Sequence, residues 1–255
     1  MGEALLQGIW QAKLLSPDKI IIADVRPDRL DYLKQTYGIQ TTSDNVQAAT
    51  LAEVIILAVK PQQLKLALEQ IRLAAQHKLV VSIAAGVTLK TIHQHLGEEA
   101  HLVRVMPNLP AIVGAGMSAL CVGSHAGSDE LQLALNIFGC VGETVVVEER
   151  LLDAVTGLSG SGPGFVMVII EALADAGVKA GLTREIALKL ATQTLLGSAM
   201  LLKRQGLHPA QIKDMVASPG GTTIAGLQAL ECGGLRATLM EAVEAATQRA
   251  AELSR

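Results

Sequence analysis

Aromatic side chains are almost absent from this chain: two Phe, two Tyr and one Trp stand among 255 residues. Its core must therefore be packed from Leu, Ile, Val, Ala and Met. Excess charge is lacking too; the formal balance of −3 argues against nucleic acid as a partner. Cysteine is scarce, and Cys121, Cys140 and Cys232 form no C-x-x-C and adjoin no histidine cluster. A disulfide framework and a structural zinc site are thereby excluded, and no metal is expected. His93 and His95, two apart, would not share a helix face. No secretory signal is visible. The two long uncharged stretches, Val155–Ile170 and Val105–Ser128, carry prolines and several glycines, so no membrane span is expected and a cytoplasmic protein is. One further absence is local. MGEALLQGIW spaces Leu5, Leu6, Ile9 and Trp10 as a helix does, and a strand-like run follows at Ile20–Asp24. Such a helix ordinarily has a strand before it, and none is there.

What is present is a strongly apolar chain, 50% hydrophobic and 18% charged. Over the first 145 residues, strand-like runs (Ile20–Asp24, Val54–Val59, Leu79–Ile83, Leu102–Met106) alternate with segments long enough for crossover helices, such as Gln62–Ala75 and Leu89–His95. Met117–Val122 and Glu143–Val147 are candidates for later strands. The runs are almost continuously apolar, as in strands covered on both faces, which predicts a mostly parallel α/β sheet. After Glu149 only helices are expected: Pro163 to about Ala176 with Gly177 as its end, Thr183 capping a helix through Leu202, Pro209–Ala217, Thr223–Leu230 and Leu235–Leu253. The expected organisation is a dinucleotide-binding domain over 1–149 and a helical domain over 150–255. Helices this apolar bury more than one face, so an intertwined homodimer is expected.

Three successive strand runs end in chain-turning residues: Lys60-Pro61, Ala84-Ala85-Gly86 and Pro107-Asn108-Leu109-Pro110. Ligands of open parallel sheets bind outside the carboxyl ends of the strands, so these ends outline a crevice. Asp24 closes another run. In a dinucleotide fold an acid there accepts from the ribose 2′-hydroxyl, whereas an arginine such as Arg26 favours a 2′-phosphate; the two together leave NAD and NADP open. Gly2 stands where the last glycine of a G-x-G-x-x-G loop packs helix on strand, without the first two glycines. In the helical half, Leu158-Ser-Gly-Ser-Gly-Pro163 and Ser218-Pro-Gly-Gly-Thr-Thr223 are polar, glycine-rich approaches to helices, able to offer backbone N–H groups to an anion.

Five blocks occur in order: ILAVKPQQ (56–63), VVSIAAGVTL (80–89), VRVMPNLPAIVGAGM (103–117), LSGSGPGFVMVIIEALADAGV (158–178) and KDMVASPGGTTIAGLQALECGGLR (213–236). Together they resemble the pyrroline-5-carboxylate reductase family over nearly the whole chain. The resemblance implies a Rossmann-like domain followed by an all-helical dimerisation domain, with proline made from a cyclic imine and a nicotinamide cofactor. NADP(H) is expected first and NAD(H) as the alternative. It implies cofactor contacts at Ala58, Val59, Lys60, Pro61, Asn45, Ala85, Gly86, Met106, Pro107 and Asn108, besides Gly2, Asp24 and Arg26. The substrate carboxylate falls to Ser218, Gly220, Gly221 and Thr222, mostly through N–H groups, and the imine nitrogen to Thr223. Glu171 is a candidate for orienting a site water or the partner's loop, or an ordinary buried interface carboxylate. The family's usual start, a strand and then G-x-G-N-M-G, is matched only from its methionine onward, so an N-terminal truncation is expected. Gly164-Phe165 stands where the family commonly has Ala-Tyr. Rings of dimers are frequent in the family.

Two other readings remain. A hydroxyacid dehydrogenase of similar architecture needs an acid/base group, often a lysine on the long helix, and Pro163–Gly177 has only Glu171 and Asp175. A catalytically impaired assembly partner would fit the short glycine loop but not the intact MPN and SPGGTT blocks.

Overall fold

The computed structural model describes Met1–Ser254 and separates into two compact units, Met1–Ser161 with the residues from Ala246 onward, and Gly162–Ala245. The first unit alternates as expected. It contains α1 (Gly2–Gln11), β1 (Ile21–Ala23), α2 (Pro27–Tyr37), β2 (Gln40–Thr42), α3 (Asn45–Leu51), β3 (Val54–Leu57) and α4 (Pro61–Ile71). Then come β4 (Leu79–Ser82), α5 (Leu89–Leu96), β5 (His101–Pro107), β6 (Gly116–Val122), α6 (Ser128–Gly139), β7 (Gly142–Val146) and the short α7 (Leu152–Val155). Strand β2 is the one the periodicity missed, because Gln40-Thr41-Thr42 has no apolar run to reveal it.

The strands form two sheets rather than one. β1 pairs with β2, and β3-β4-β5-β6-β7 make a second sheet, parallel throughout except between β5 and β6. The five-stranded sheet follows chain order, and among the described residues no ladder joins it to the β1-β2 pair. Hence β1 and β3 are not ladder partners. The strand runs are apolar because helices cover both faces. On one face Leu64, Leu68 and Ile92 of α4 and α5 pack with Val80 and Leu102. On the other, Leu5 and Ile9 of α1 and Ile137 and Phe138 of α6 pack with Val81, Val103 and Leu120. Each such fully buried side chain contributes about 1.5–3 kcal/mol.

The second unit is helical: α8 (Gly162–Lys179), α9 (Arg184–Gln205), α10 (Pro209–Val216), α11 (Thr222–Cys232) and most of α12 (Leu235–Leu253). Thr183 caps α9 as expected, accepting from the Ile186 N–H at 3.4 Å. Gly177 does not end α8. It lies inside it, where a Cβ would stand 2.9 Å from that of Ala187, and the turn falls instead at Gly181, at φ +100°. Gly177 is thus a packing glycine that lets α8 and α9 approach closely. Within one protomer only Ala174, Ala187 and Ala191 of this unit are buried. Met167 and Met240 are 59% and 72% exposed, in company with Val168, Leu190 and Leu196.

Residues 149–179 form one helical run that is long and apolar enough, by length and composition, to cross a bilayer. The four glycines and Pro163 do not interrupt it, contrary to the sequence expectation. A π-turn over Thr156–Gly160 sends the Ser161 N–H to the Thr156 carbonyl at 2.9 Å and leads into α8, with Pro163 in its first turn, where no N–H is needed. The segment Leu158–Pro163 is therefore helix interior, not an open anion-binding turn.

Candidate cofactor and substrate sites

In the first unit, parallel pairing places Leu57, Ser82 and Arg104 in one row across β3, β4 and β5, so the carboxyl ends of these strands lie side by side. From them emerge three of the expected groups. Ala58 and Val59 follow β3, with Lys60 as cap and Pro61 as first residue of α4. Ala85 and Gly86 follow β4, Gly86 at φ +75°. Met106 and Pro107 end β5, and Asn108 follows. Gly2 joins the same edge: a Cβ on it would stand 3.2 Å from that of Ala58, so α1 starts against the end of β3. The first intrahelical bond of α1 is Leu5 N–H to Met1 carbonyl at 3.0 Å. The N–H groups of Gly2, Glu3 and Ala4 lie ahead of it, and no side chain caps them. A helix N-terminus with uncapped amides, close against a strand end through a glycine, fits the pyrophosphate of a dinucleotide.

The remaining expected cofactor residues are more committed to the protein itself. Asp24 follows β1 and accepts from the Arg26 N–H at 3.0 Å, with the Arg26 guanidinium Nε 3.6 Å away. Asn45 opens α3, but its side-chain amide donates to Gln70 of α4 at 2.8 Å. Asp44, missed from the sequence, caps α3 through the Val46 and Gln47 N–H groups. Gly86 makes its close approach to the chain's own α12, where a Cβ would meet the Leu253 carbonyl oxygen at 3.0 Å. Asn108 accepts from the Met117 N–H at 2.8 Å and donates to the carbonyl and hydroxyl oxygens of Ser159, both at 3.2 Å.

An ion pair anchored on a buried arginine was also missed. Arg104, 6% exposed in β5, donates to Glu149 at 2.9 Å, and the same carboxylate oxygen accepts the Leu89 N–H at 2.7 Å. The signal in the sequence is a lone arginine inside the apolar run LVRVM, since a buried guanidinium requires a partner. Nearby, burial pushes the Cys121 thiol up to about 11, with the Glu149 charge adding to the effect.

In the second unit, α10 ends at Val216 and Ser218-Pro219-Gly220 turns the chain into α11. Gly220 takes φ +66°, open to glycine and strained for other residues. Gly221 lies so close against Ser218 that a Cβ would have no room, and its N–H is bonded to the Ser218 carbonyl at 3.0 Å. The expected Gly221 donor is therefore spent on the turn. The first helical bond is Ala225 N–H to Gly221 carbonyl, so the amides of Thr222, Thr223 and Ile224 precede it, with no side-chain cap. Three amides and two hydroxyls at a helix N-terminus suit a carboxylate. Ser218, Gly220 and Thr222 are exposed and Thr223 is half-buried. Glu171, on α8, is exposed in the protomer.

A first unit of mostly parallel strands covered by helices on both faces, followed by a helical unit, has the architecture of a dinucleotide-binding oxidoreductase. Comparison with known proteins sharpens this. Residues 149–253 match the family described as pyrroline-5-carboxylate reductase dimerisation, and residues 1–86 match that described as NADP oxidoreductase, coenzyme F420-dependent. A pyrroline-5-carboxylate reductase from Synechocystis is 49% identical over 255 residues, covering 100% of this chain and 95% of the relative. The solved pyrroline-5-carboxylate reductase of Coxiella burnetii superposes with a TM-score of 0.96 at 37% identity, covering 100% of this chain and 95% of that one. That of Plasmodium falciparum, solved with NADP bound, gives 0.88 at 33% identity over the same shares. The chain belongs to the pyrroline-5-carboxylate reductase family. Its helical half is the family's dimerisation domain, which accounts for the apolar faces left open in one protomer.

Proposed function

We propose that the chain reduces 1-pyrroline-5-carboxylate to L-proline with NADPH, NADH being the alternative donor. The observation that carries this reading is the family likeness over the full chain, joined to two uncapped helix N-termini, at Gly2 and at Thr222. A bound nicotinamide supplies a hydride from C4 of its ring. The protein's own work is to hold and orient. The amides that open α1, with Lys60 and the turns at Ala85–Gly86 and Met106–Asn108, serve the cofactor. The Plasmodium relative with NADP bound supports NADP(H) as that cofactor. The amides of Thr222 and Thr223, with Ser218 and Gly220 shaping the turn, serve the substrate carboxylate. The Thr223 hydroxyl, able to donate or accept, serves the ring nitrogen as it gains and loses charge. Glu171 lies on the dimerisation helix and acts toward the partner subunit or a site water. No histidine or carboxylate pair is needed, because the electrophilic carbon is activated by protonation of the substrate nitrogen. The reading includes assembly of dimers into rings and a cytoplasmic setting, where the three free thiols stay reduced.

The test is oxidation of NADPH and of NADH by the purified chain with 1-pyrroline-5-carboxylate, beside a panel of 2-hydroxyacids with the oxidised cofactors. Imine-dependent oxidation alone is expected. Turnover of a hydroxyacid without imine reduction would overturn the reading in favour of a hydroxyacid dehydrogenase.

A further inference from the structure

The turn after β4 belongs to the candidate cofactor edge. Ala85 is exposed, Gly86 is left-handed, and the α5 cap, Thr88, spends its hydroxyl on the Thr91 N–H at 3.1 Å. Two carboxylates four residues apart secure it from outside. Glu149 takes the Leu89 N–H, the first amide of α5, three residues beyond Gly86, and is itself held by the buried guanidinium of Arg104. A carboxylate at that helix end also meets the positive end of the helix dipole. The Ser254 hydroxyl lies 3.1 Å from the Asp153 carboxylate and 3.0 Å from the Ala250 carbonyl oxygen, so its one proton is shared between these two acceptors, and Ser254 follows Leu253, whose carbonyl oxygen stands 3.0 Å from where a Cβ on Gly86 would be. Both flanks of the Ala85–Gly86 turn thus depend on the segment 149–153, which leads into the long helix.

We infer that Glu149 and Asp153 are positioning residues for cofactor binding, setting the Ala85–Gly86 turn through the Leu89 amide and through Ser254-Leu253. The inference rests on the reading of that turn as a cofactor contact. It assigns these carboxylates no contact with substrate or cofactor.

The test uses the full chain and its variants E149Q, D153N and S254A. NADPH dissociation constants come from fluorescence titration without substrate, and the imine KM and the thermal midpoint are measured alongside. E149Q is expected to weaken NADPH binding roughly 3- to 30-fold, and D153N and S254A roughly 2- to 10-fold, with the imine KM within about twofold of the parent. Partial unfolding alone would lower kcat and leave both affinities unchanged. Unchanged NADPH affinity in folded variants, or equal loss of both affinities, would overturn the inference. Should E149Q fail to fold because Arg104 loses its charge partner, S254A decides alone, since it removes one hydroxyl from the end of α12. A parent chain that binds no NADPH would overturn the cofactor reading and this inference with it. Parent binding with unaltered variants would overturn only the inference.

Discussion

Asn108 and Ser159 are joined twice: one side-chain amide of Asn108 reaches both the carbonyl and the hydroxyl oxygen of Ser159 at 3.2 Å. Its own carbonyl accepts the Met117 N–H at 2.8 Å. One side chain therefore ties the end of β5 to the start of β6 and to the π-turn that precedes α8. Asn108→Ala should lower unfolding stability by about 1–3 kcal/mol, because it leaves half-buried backbone groups without partners. Urea unfolding at fixed protein concentration measures this. A change below about 0.5 kcal/mol would deny the bracket its structural role.

Two glycines of α8 should respond oppositely to alanine. Gly164 has open space where a Cβ would go, whereas at Gly177 the Cβ would meet that of Ala187 at 2.9 Å. Gly164→Ala should stabilise by roughly 0.5–1 kcal/mol through helix propensity. Gly177→Ala should destabilise by about 1–3 kcal/mol through overpacking. Thermal midpoints of the two variants at equal concentration give the comparison, and shifts of the same sign would contradict the packing described.

Thr223→Ala should reduce kcat/KM for the imine roughly 5- to 150-fold, the equivalent of one transition-state hydrogen bond of about 1–3 kcal/mol. The KM for NADPH should stay within about twofold. Steady-state kinetics with each substrate varied in turn separates the two, and an unaltered kcat/KM would remove Thr223 from the catalytic role.

The buried thiol of Cys121 gives a pH signature. Its pKa rises from 9.0 to about 11 on folding, chiefly through burial. The unfolded chain therefore releases the proton first, and this group's contribution is full below pH 9 and lost as pH climbs toward about 11. Stability should decline over that window, and Cys121→Ala should flatten the decline. Equal slopes in chemical denaturation at pH 8.5, 9.5 and 10.5 would contradict it.

Much of the fold is legible in the sequence because burial on two faces leaves a plain mark. The runs at Val54, Leu79 and Leu102 are apolar apart from Ser82 and Arg104, and helices with caps such as Thr183 declare their starts. Gln40–Thr42 left no such mark, being a polar edge strand held by its ladder with β1. Gly177 and Leu158–Pro163 were misread for one reason. Glycine and proline normally break a helix, but here close helix packing needs the first, and a π-turn accommodates the second. At the site, the motifs located the strand ends and the turn before α11. Which backbone amides stay free there is decided by tertiary bonds, as the spent N–H of Gly221 shows. Glu149 lies 45 residues from Arg104, a separation at which no local pattern connects the two.

Transfer of hydride from a nicotinamide to the C=N carbon of a cyclic imino acid leaves an isotopic trace in the product. The most direct measurement is incubation with 1-pyrroline-5-carboxylate and NADPH deuterated at C4 on the transferred face, followed by mass spectrometry of the amino acid formed. The expected result is L-proline carrying one deuterium at C5, at a rate dependent on the protein. Proline without deuterium, or none formed by protein that is folded and binds NADPH, would contradict the account.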